Sequence, residues 1–189
     1  MWSVTRIVAG SLGGRRIAVP PRGTRPTSER VREAMFSAIT ARMDLAGARV
    51  LDCYAGSGAL GIEALSRGAA HALFVESDRR AAAVLAGNLA ALGLRDAAAV
   101  RAAAVESFAA IEAAGQPYDL LVADPPYAVS GESLSAVLAS LAGHGWLADG
   151  ALLAIERPAR AAELVWPDGV EQITTRRYGD TVVCYGRRP

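Results

Sequence analysis

From Arg49 onward the sequence alternates short apolar runs with amphipathic stretches, and this alternation constrains the fold more than any other feature. We predict strands at 49–53, 72–76, 97–101, 118–123 and 150–155, and helices at 57–68, 78–92, 105–114, 131–142 and 158–164. Two further strand-like runs, 170–178 and 181–186, flank the hairpin signal Gly179-Asp180. Such alternation is typical of a parallel sheet with helices on both faces. The predicted fold class is therefore α/β, with a mainly parallel seven-stranded sheet that ends in an antiparallel hairpin.

Residues 1–45 are predicted to form a small extension ahead of the main domain at 46–189. Strand-like runs at 5–9 and 15–19 surround three glycines and predict a hairpin. Thr27 or Ser28 can then cap a helix. We expect that helix to pack one face on the main domain and to leave Arg30 and Arg32 near its exposed start.

The extension is strongly basic, although the chain as a whole has a net charge of only +1. Residues 1–42 carry eight arginines against two acidic residues. This asymmetry favours a nucleic-acid-binding arm on a neutral body, and a merely solvated surface is the alternative. The predicted RNA-binding residues are Arg6, Arg15, Arg16, Arg22, Arg25, Arg30 and Arg32.

Composition excludes several other classes of protein. Hydrophobic residues make up 52% and charged residues 21% of the chain, which argues against disorder. There is no run of about twenty apolar residues and no signal-peptide pattern, so we expect a cytoplasmic protein without a membrane partner. The two cysteines and two histidines are scattered, which predicts no metal site. Nothing in the chain demands more than a monomer.

A glycine-rich turn follows the first strand of the main domain. Gly56, Gly58 and Gly61 match G-x-G-x-x-G between a strand and a helix, a pattern that lets a ligand approach the backbone closely. Taken alone, the pattern fits a nicotinamide cofactor equally well, or a plain tight turn.

Two acidic residues change that balance. Asp52 at the strand tip would repel a pyrophosphate and attract a cation. S-adenosylmethionine carries a sulfonium and an ammonium group and no phosphate. Glu76 ends the next strand, where an acid can accept both ribose hydroxyls. The predicted cofactor is therefore S-adenosylmethionine, with helix capping as the alternative role for Glu76.

The second chemical motif is Asp124-Pro125-Pro126-Tyr127, directly after the apolar run Leu120-Leu121-Val122. Two prolines stiffen this backbone and end the strand. The Asp124 carboxylate and the Pro125 carbonyl can each accept one hydrogen of an exocyclic amine, and Tyr127 can stack on the ring that carries it. A simple strand-terminating turn is the alternative.

These motifs resemble the class I S-adenosylmethionine-dependent methyltransferases that act on exocyclic amines, whose sheet is Rossmann-like. R-I-V-A-G at 6–10, R-P-T-S-E-R-V-R-E at 25–33 and R-Y-G-D-T at 177–181 are similar to one family among them, the bacterial 16S rRNA guanine-N2 methyltransferase D family. The resemblance spans essentially the whole chain. It implies methyl transfer to N2 of a guanine in 16S rRNA within the small ribosomal subunit.

The resemblance also implies roles for individual residues. The catalytic residues are Asp124, Pro125, Pro126 and Tyr127. The cofactor-binding residues are Asp52, Cys53, Tyr54, Ala55, Gly56, Ser57, Gly58, Glu76, Ser77, Ala103 and Thr27. The family usually has an acid near the adenine where this chain has Ala103, so adenine recognition is expected to rest on backbone groups. Arg25, Pro26 and Thr27 match a motif expected to border cofactor and RNA.

Three rival functions use some of the same features. An N6-adenine methyltransferase would share the Asp124–Tyr127 chemistry, although the chain has little room for a DNA-recognition domain. A nicotinamide oxidoreductase would use the glycine turn and leave Asp124–Tyr127 without a role. A non-catalytic rRNA-binding assembly factor would use only the basic extension.

Overall fold

A computed structural model describes residues 3–20 and 28–189 of the protein. The strands in these ranges are β1 (Ser3–Arg6), β2 (Arg16–Val19), β3 (Arg49–Cys53), β4 (His71–Glu76), β5 (Ala98–Ala102), β6 (Tyr118–Ala123), β7 (Leu147–Pro158), β8 (Glu171–Tyr178) and β9 (Thr181–Arg187). The helices are α1 (Glu29–Thr40), α2 (Ala59–Ser66), α3 (Arg79–Ala91), α4 (Val105–Ala109) and α5 (Gly131–Gly143), with a short 3-10 turn at Arg95–Ala97.

The central sheet has seven strands in the order β5-β4-β3-β6-β7-β9-β8. The strands from β5 to β7 pair in parallel, and β9 pairs antiparallel with both β7 and β8. Since β3 pairs with β4 on one side and with β6 on the other, the strand order reverses at β3. Ligands of open α/β sheets bind at such a switch point, outside the carboxyl ends of the strands. The predicted fold class is confirmed.

Both faces of the sheet are covered, which explains the near-continuous apolar strands. Alternate residues of β6 belong to two different hydrophobic clusters: Leu120 and Val122 face one side, and Leu121 faces the other. The first cluster includes buried residues of α1, α2 and α3. The second includes buried residues of α4 and α5. A strand buried on both faces needs no polar alternation, so an apolar run is sufficient to specify it.

The N-terminal hairpin is present and packs on the same core as the sheet. β1 and β2 pair antiparallel, with Arg6 opposite Arg16. Ile7 and Ile17 are buried in the cluster that contains α1 and β3. Ser28 caps α1, since its side chain accepts a hydrogen bond from Val31 N, and Thr27 lies outside the described residues. The division at residue 45 stays a prediction.

Two predicted helices differ from the structure. Residues 158–164 form no helix because β7 continues to Pro158 opposite Thr181 of β9, and the Ala159 N–H donates to the Asp180 carbonyl. α4 ends at Ala109 instead of residue 114, and Ala113 N–H instead donates to the His144 carbonyl. In both places tertiary hydrogen bonds replace the bonds that would continue a helix.

No helix among residues 3–20 and 28–189 is long and apolar enough to cross a membrane. Within the same ranges, no three side chains of His, Cys, Asp or Glu are grouped so that they could hold a metal ion.

Candidate active site

The carboxyl ends of β3, β4 and β6 bring the two sequence motifs together. In the sheet register, Cys53 lies opposite Val75 on one side and Ala123 on the other. The chain therefore leaves the sheet at three neighbouring points, which are the start of the glycine turn, Glu76 and Asp124. Both predicted binding motifs thus lie at the same edge of the sheet, at the switch point.

The glycines of the turn are required for two different reasons. A Cβ on Gly58 would lie 2.2 Å from Leu85 Cδ1, and a Cβ on Gly61 would lie 2.3 Å from Phe74 Cε1. Close packing against the core therefore requires glycine at these two positions. Gly56 has a φ of +54°, and a Cβ there would meet nothing within 4 Å. Open space in front of a left-handed glycine is the surface that a ligand can approach closely.

Glu76 is held against the turn by two backbone hydrogen bonds. Its Oε2 accepts from Gly56 N at 2.7 Å, and its Oε1 accepts from Asp78 N at 2.8 Å. Each carboxylate oxygen has a second acceptor site. The half-buried Glu76 carboxylate is thus fixed in place beside Gly56, with acceptor capacity left for the hydroxyls of a bound ribose.

The Asp52 carboxylate, which is predicted to attract a cationic cofactor at the strand tip, lies beneath the turn instead of lining it. Its side chain is only 1% exposed, and its Oδ2 accepts from Gly61 N at 2.8 Å. Burial raises the pKa of Asp52 to about 7, helped by the negative charge of Glu76 and opposed by the Gly61 hydrogen bond. Because a nearby cation favours the charged form, such a carboxyl would respond to a positive ligand in the turn above it.

Cys53 and Ser57 are also buried, so their side chains point away from the open face. The Cys53 side chain belongs to the second hydrophobic cluster, where burial raises the pKa of its thiol. The predicted contacts at Ala55 and Gly56 fit better, since both residues are partly exposed.

Tyr54 adopts a left-handed conformation that non-glycine residues rarely take, with a φ of 60°. Its hydroxyl donates to Glu106 Oε1 at 3.2 Å, and burial raises the pKa of this tyrosine. Glu106 lies in the first turn of α4 and was not predicted as a site residue. Ala103 N–H donates to the Glu76 carbonyl at 3.0 Å, so this backbone donor is already engaged, whereas Ser77 is exposed.

The turn after β6 is the most open part of the site. Pro125 is buried and Asp124 half-buried, whereas the Tyr127 side chain is 63% exposed. Val129 N–H donates to the Pro126 carbonyl at 2.9 Å and closes the turn. An exposed aromatic ring beside a carboxylate suits a flat ligand that enters from solvent.

Arg160, which was not predicted as a site residue, places a positive charge over this ring. Its guanidinium carbon lies 5.9 Å from the centroid of the Tyr127 ring. The residue falls in the segment predicted as a helix, and only the extension of β7 carries it toward the site. No local sequence pattern indicated this contact.

The predicted RNA-binding arginines do not share one environment. Arg6, Arg15, Arg16 and Arg30 are exposed, and Arg22 and Arg25 lie outside the described residues. Arg6 forms an ion pair with Glu29 at 2.9 Å.

The prediction for Arg32 is wrong, because its side chain is only 1% exposed. Its guanidinium lies 3.4 Å from the Glu63 carboxylate and donates to the Thr5 hydroxyl and the Arg6 carbonyl. Burial lowers the pKa of Arg32, and the nearby glutamates oppose that shift. Arg32 therefore fixes the hairpin to α1 and α2 and cannot contact RNA in this structure.

Comparison with known proteins places the whole chain in one family. Residues 5–187 match the family model described as Conserved hypothetical protein 95. The chain is 42% identical over 152 residues to ribosomal RNA small subunit methyltransferase D of Escherichia coli, covering 80% of this chain and 73% of that protein. It is 36% identical over 189 residues to the putative rRNA methyltransferase YlbH of Bacillus subtilis, covering 97% and 99%.

Solved structures agree with the sequence relatives. The putative methyltransferase yhhF from Escherichia coli superimposes with a TM-score of 0.86 at 34% identity and covers 98% of both chains. Magnesium protoporphyrin IX methyltransferase from Synechocystis, solved with bound S-adenosylmethionine, has a TM-score of 0.65 at 16% identity over 85% of this chain and 79% of that one, which shows the shared fold alone. The chain therefore belongs to the ribosomal RNA small subunit methyltransferase D family, as its motifs predicted.

Proposed function

We propose that this protein transfers a methyl group from S-adenosylmethionine to the exocyclic N2 amine of a specific guanine in small-subunit rRNA. The observation that carries the proposal is the juxtaposition of the Asp124–Tyr127 turn and the glycine turn at one switch point of the sheet. One turn suits a cationic nucleoside cofactor, and the other suits a flat ring that bears an amine. The family membership supports a methyltransferase that acts on rRNA.

The residues of the glycine turn fit S-adenosylmethionine better than a dinucleotide. The open space before Gly56 admits a ligand, while the Glu76 carboxylate beside it carries a negative charge that would repel a pyrophosphate. When bound, the cofactor supplies the methyl group from its sulfonium. Glu76 would accept the ribose hydroxyls, and the backbone at Ala55–Gly58 would border the methionine part.

The turn after β6 would hold the target base. Asp124 and the Pro125 carbonyl each accept one hydrogen bond from the amine. These bonds free the nitrogen lone pair for in-line attack on the methyl group, without a covalent enzyme intermediate. Pro126 stiffens the turn, and the exposed Tyr127 ring stacks on the guanine. The Asp124 carboxylate would stabilise the positive charge that develops on nitrogen, and that nitrogen would then lose a proton to solvent.

The substrate must present the base outside a helix, because pairing and stacking otherwise bury the amine. We infer that residues 1–45 form an RNA-binding extension in which the exposed Arg6, Arg15, Arg16 and Arg30 contact phosphates. The partner is 16S rRNA in an assembled or assembling small subunit, and the enzyme acts as a cytoplasmic monomer.

The test is transfer of labelled methyl to unmodified small subunits, naked small-subunit rRNA and duplex DNA, side by side. The proposal expects label in the subunit or its rRNA, and the ratio between the two measures how much of the particle is needed. Label only in DNA would favour the adenine alternative. Cofactor binding without transfer to any of the three would overturn the proposed substrate.

A further inference from the structure

A single buried amide, Asn88 of α3, is hydrogen-bonded to both the N-terminal hairpin and the glycine turn. Its Oδ1 accepts from Ala18 N at 2.9 Å, and its Nδ2 donates to the Ala18 carbonyl at 2.9 Å. The same Nδ2 donates to the Ser57 carbonyl at 3.0 Å. Ala18 lies in β2, and Ser57 lies between two glycines of the turn.

The position of this amide makes its bonds hard to replace. Asn88 is 6% exposed and Ser57 is 7% exposed, so water cannot easily take over a lost bond. A buried backbone carbonyl that loses its donor carries a substantial free-energy penalty. A shift of Asn88 would therefore shift the backbone of Ser57. Asn88 is itself bonded to both the N–H and the carbonyl of Ala18.

We infer that Asn88 is a positioning residue through which the hairpin sets the conformation of the glycine turn, so that RNA on the hairpin and cofactor in the turn strengthen each other's binding. The RNA half of this inference rests on the proposed function. Arg16, an exposed residue of β2, stands two positions before Ala18 in the same strand. A phosphate bound by Arg16 would thus contact β2, the strand to which Asn88 is hydrogen-bonded.

Coupling of this kind is reciprocal. If RNA raises the affinity for the cofactor by some factor, the cofactor raises the affinity for RNA by the same factor. Both ligands would favour one arrangement of β2, Asn88 and Ser57. The cost of ordering that arrangement would be met once by whichever ligand binds first.

Ser66 provides a matched control on the other side of the hairpin. Its hydroxyl accepts from Leu12 N at 3.0 Å and donates to the Ala9 carbonyl, so it also docks the hairpin. Ser66 is 3% exposed, near the end of α2, and none of the hydrogen bonds of its side chain joins the glycine turn. Ser66→Ala therefore weakens docking without touching the path through Asn88.

The first experiment measures the dissociation constant of S-adenosylhomocysteine by calorimetry, with no RNA present. Asn88→Leu removes all three bonds, and Asn88→Asp keeps the acceptor for Ala18 N but loses both donated bonds. Both variants are expected to bind S-adenosylhomocysteine about tenfold more weakly, from the loss of one buried hydrogen bond to the turn. Ser66→Ala is expected to stay within about twofold of the wild type, which is the effect of a site outside the binding path. Thermal unfolding of each variant checks that all are folded at the assay temperature.

The second experiment repeats the binding measurement by equilibrium dialysis with saturating unmodified small subunits. The wild type and Ser66→Ala are expected to bind S-adenosylhomocysteine at least about fivefold more tightly with subunits than without, whereas Asn88→Leu shows no gain. Equal losses in the Asn88 and Ser66 variants would overturn the inference, because Asn88 would then act only in docking. A wild type that binds subunits without any gain would also overturn the coupling.

The two proposals fail in different ways. If the wild type neither binds nor methylates small subunits, the proposed function fails. The measurement without RNA then still decides whether Asn88 positions the turn. If small subunits are methylated and Asn88→Leu binds S-adenosylhomocysteine as the wild type does, this inference alone is wrong.

Discussion

The two turns at the carboxyl edge of the sheet are built in opposite ways. The glycine turn is bonded from three sides, by Glu76 at Gly56, by Asn88 at Ser57 and by Asp52 at Gly61. The turn after β6 ends in an exposed tyrosine and is closed by a short local bond between residues 126 and 129.

The difference matches the two ligands that we propose. A small cofactor gains affinity from a turn whose hydrogen bonds restrict it to few conformations, since less conformational entropy is then lost on binding. A base that belongs to a large RNA must be brought in from outside, so its platform has to stay accessible. Changes in the glycine turn should therefore alter cofactor affinity, and changes in the other turn should alter transfer.

The largest effect is expected at Asp124. Asp124→Ala should lower the turnover number by about a hundredfold or more, because the amine loses the group that stabilises its developing charge. Its affinity for S-adenosylhomocysteine, measured by calorimetry, should change little. A variant with normal turnover would contradict the role assigned to Asp124 and the contrast between the two turns.

Tyr127→Ala should have the next largest effect. Loss of base stacking, about 1–3 kcal/mol, should reduce kcat/KM for small subunits by about five- to 150-fold. Tyr127→Phe keeps the ring and serves as the control, with activity near the wild type. If the phenylalanine variant were as poor as the alanine variant, the hydroxyl and not the stacking face would be the important group.

Asp52 should give the stability of the protein a specific pH dependence. Its pKa is about 7 in the folded chain against an ordinary value of 3.8, so the folded state binds the proton more tightly. Its contribution to stability is full below about pH 4 and is lost as the pH rises to about 7, by up to about 4 kcal/mol. Denaturant unfolding from pH 4 to pH 8 should show this fall in the wild type relative to Asp52→Asn. Parallel pH profiles for the two proteins would contradict it.

The smallest effect is expected at Arg160. Arg160→Ala should raise the KM for small subunits by about two- to fivefold and weaken its dependence on salt, since an exposed cation over a ring contributes modestly. Arg95→Ala is the control, because Arg95 is exposed in the turn before β5, at the amino ends of the parallel strands, whereas Tyr127 follows the carboxyl end of β6. Identical behaviour of the two variants would mean that Arg160 lies outside the substrate path.

The sequence predicted the central strands more accurately than the contacts of the side chains around the candidate site. The predicted strands 49–53 and 118–123 match β3 and β6, because apolar runs buried on both faces depend on little else. The glycine turn, Glu76 and the Asp124–Tyr127 segment were placed at one edge because parallel strands end together. Local composition and chain order were sufficient for this much.

The side chains that failed prediction depend on partners far away in the chain. Arg32 is buried because Glu63, on another helix, meets it inside the protein. In the sequence, Asn88 is an ordinary polar residue of an alanine-rich helix, and only its hydrogen bonds to the hairpin show its role. Arg160 reaches Tyr127 only because β9 extends β7 beyond its expected end. Pairings set by tertiary packing leave no periodic signal in the sequence.

The most direct test of the account is the identity of the methylated nucleoside. Unmodified small subunits would be incubated with S-adenosylmethionine and either the wild type or Asp124→Ala, and their rRNA digested and analysed by mass spectrometry. We predict N2-methylguanosine at a single site with the wild type and almost none with the variant. Methyl groups on adenine, or equal modification by both proteins, would contradict the account.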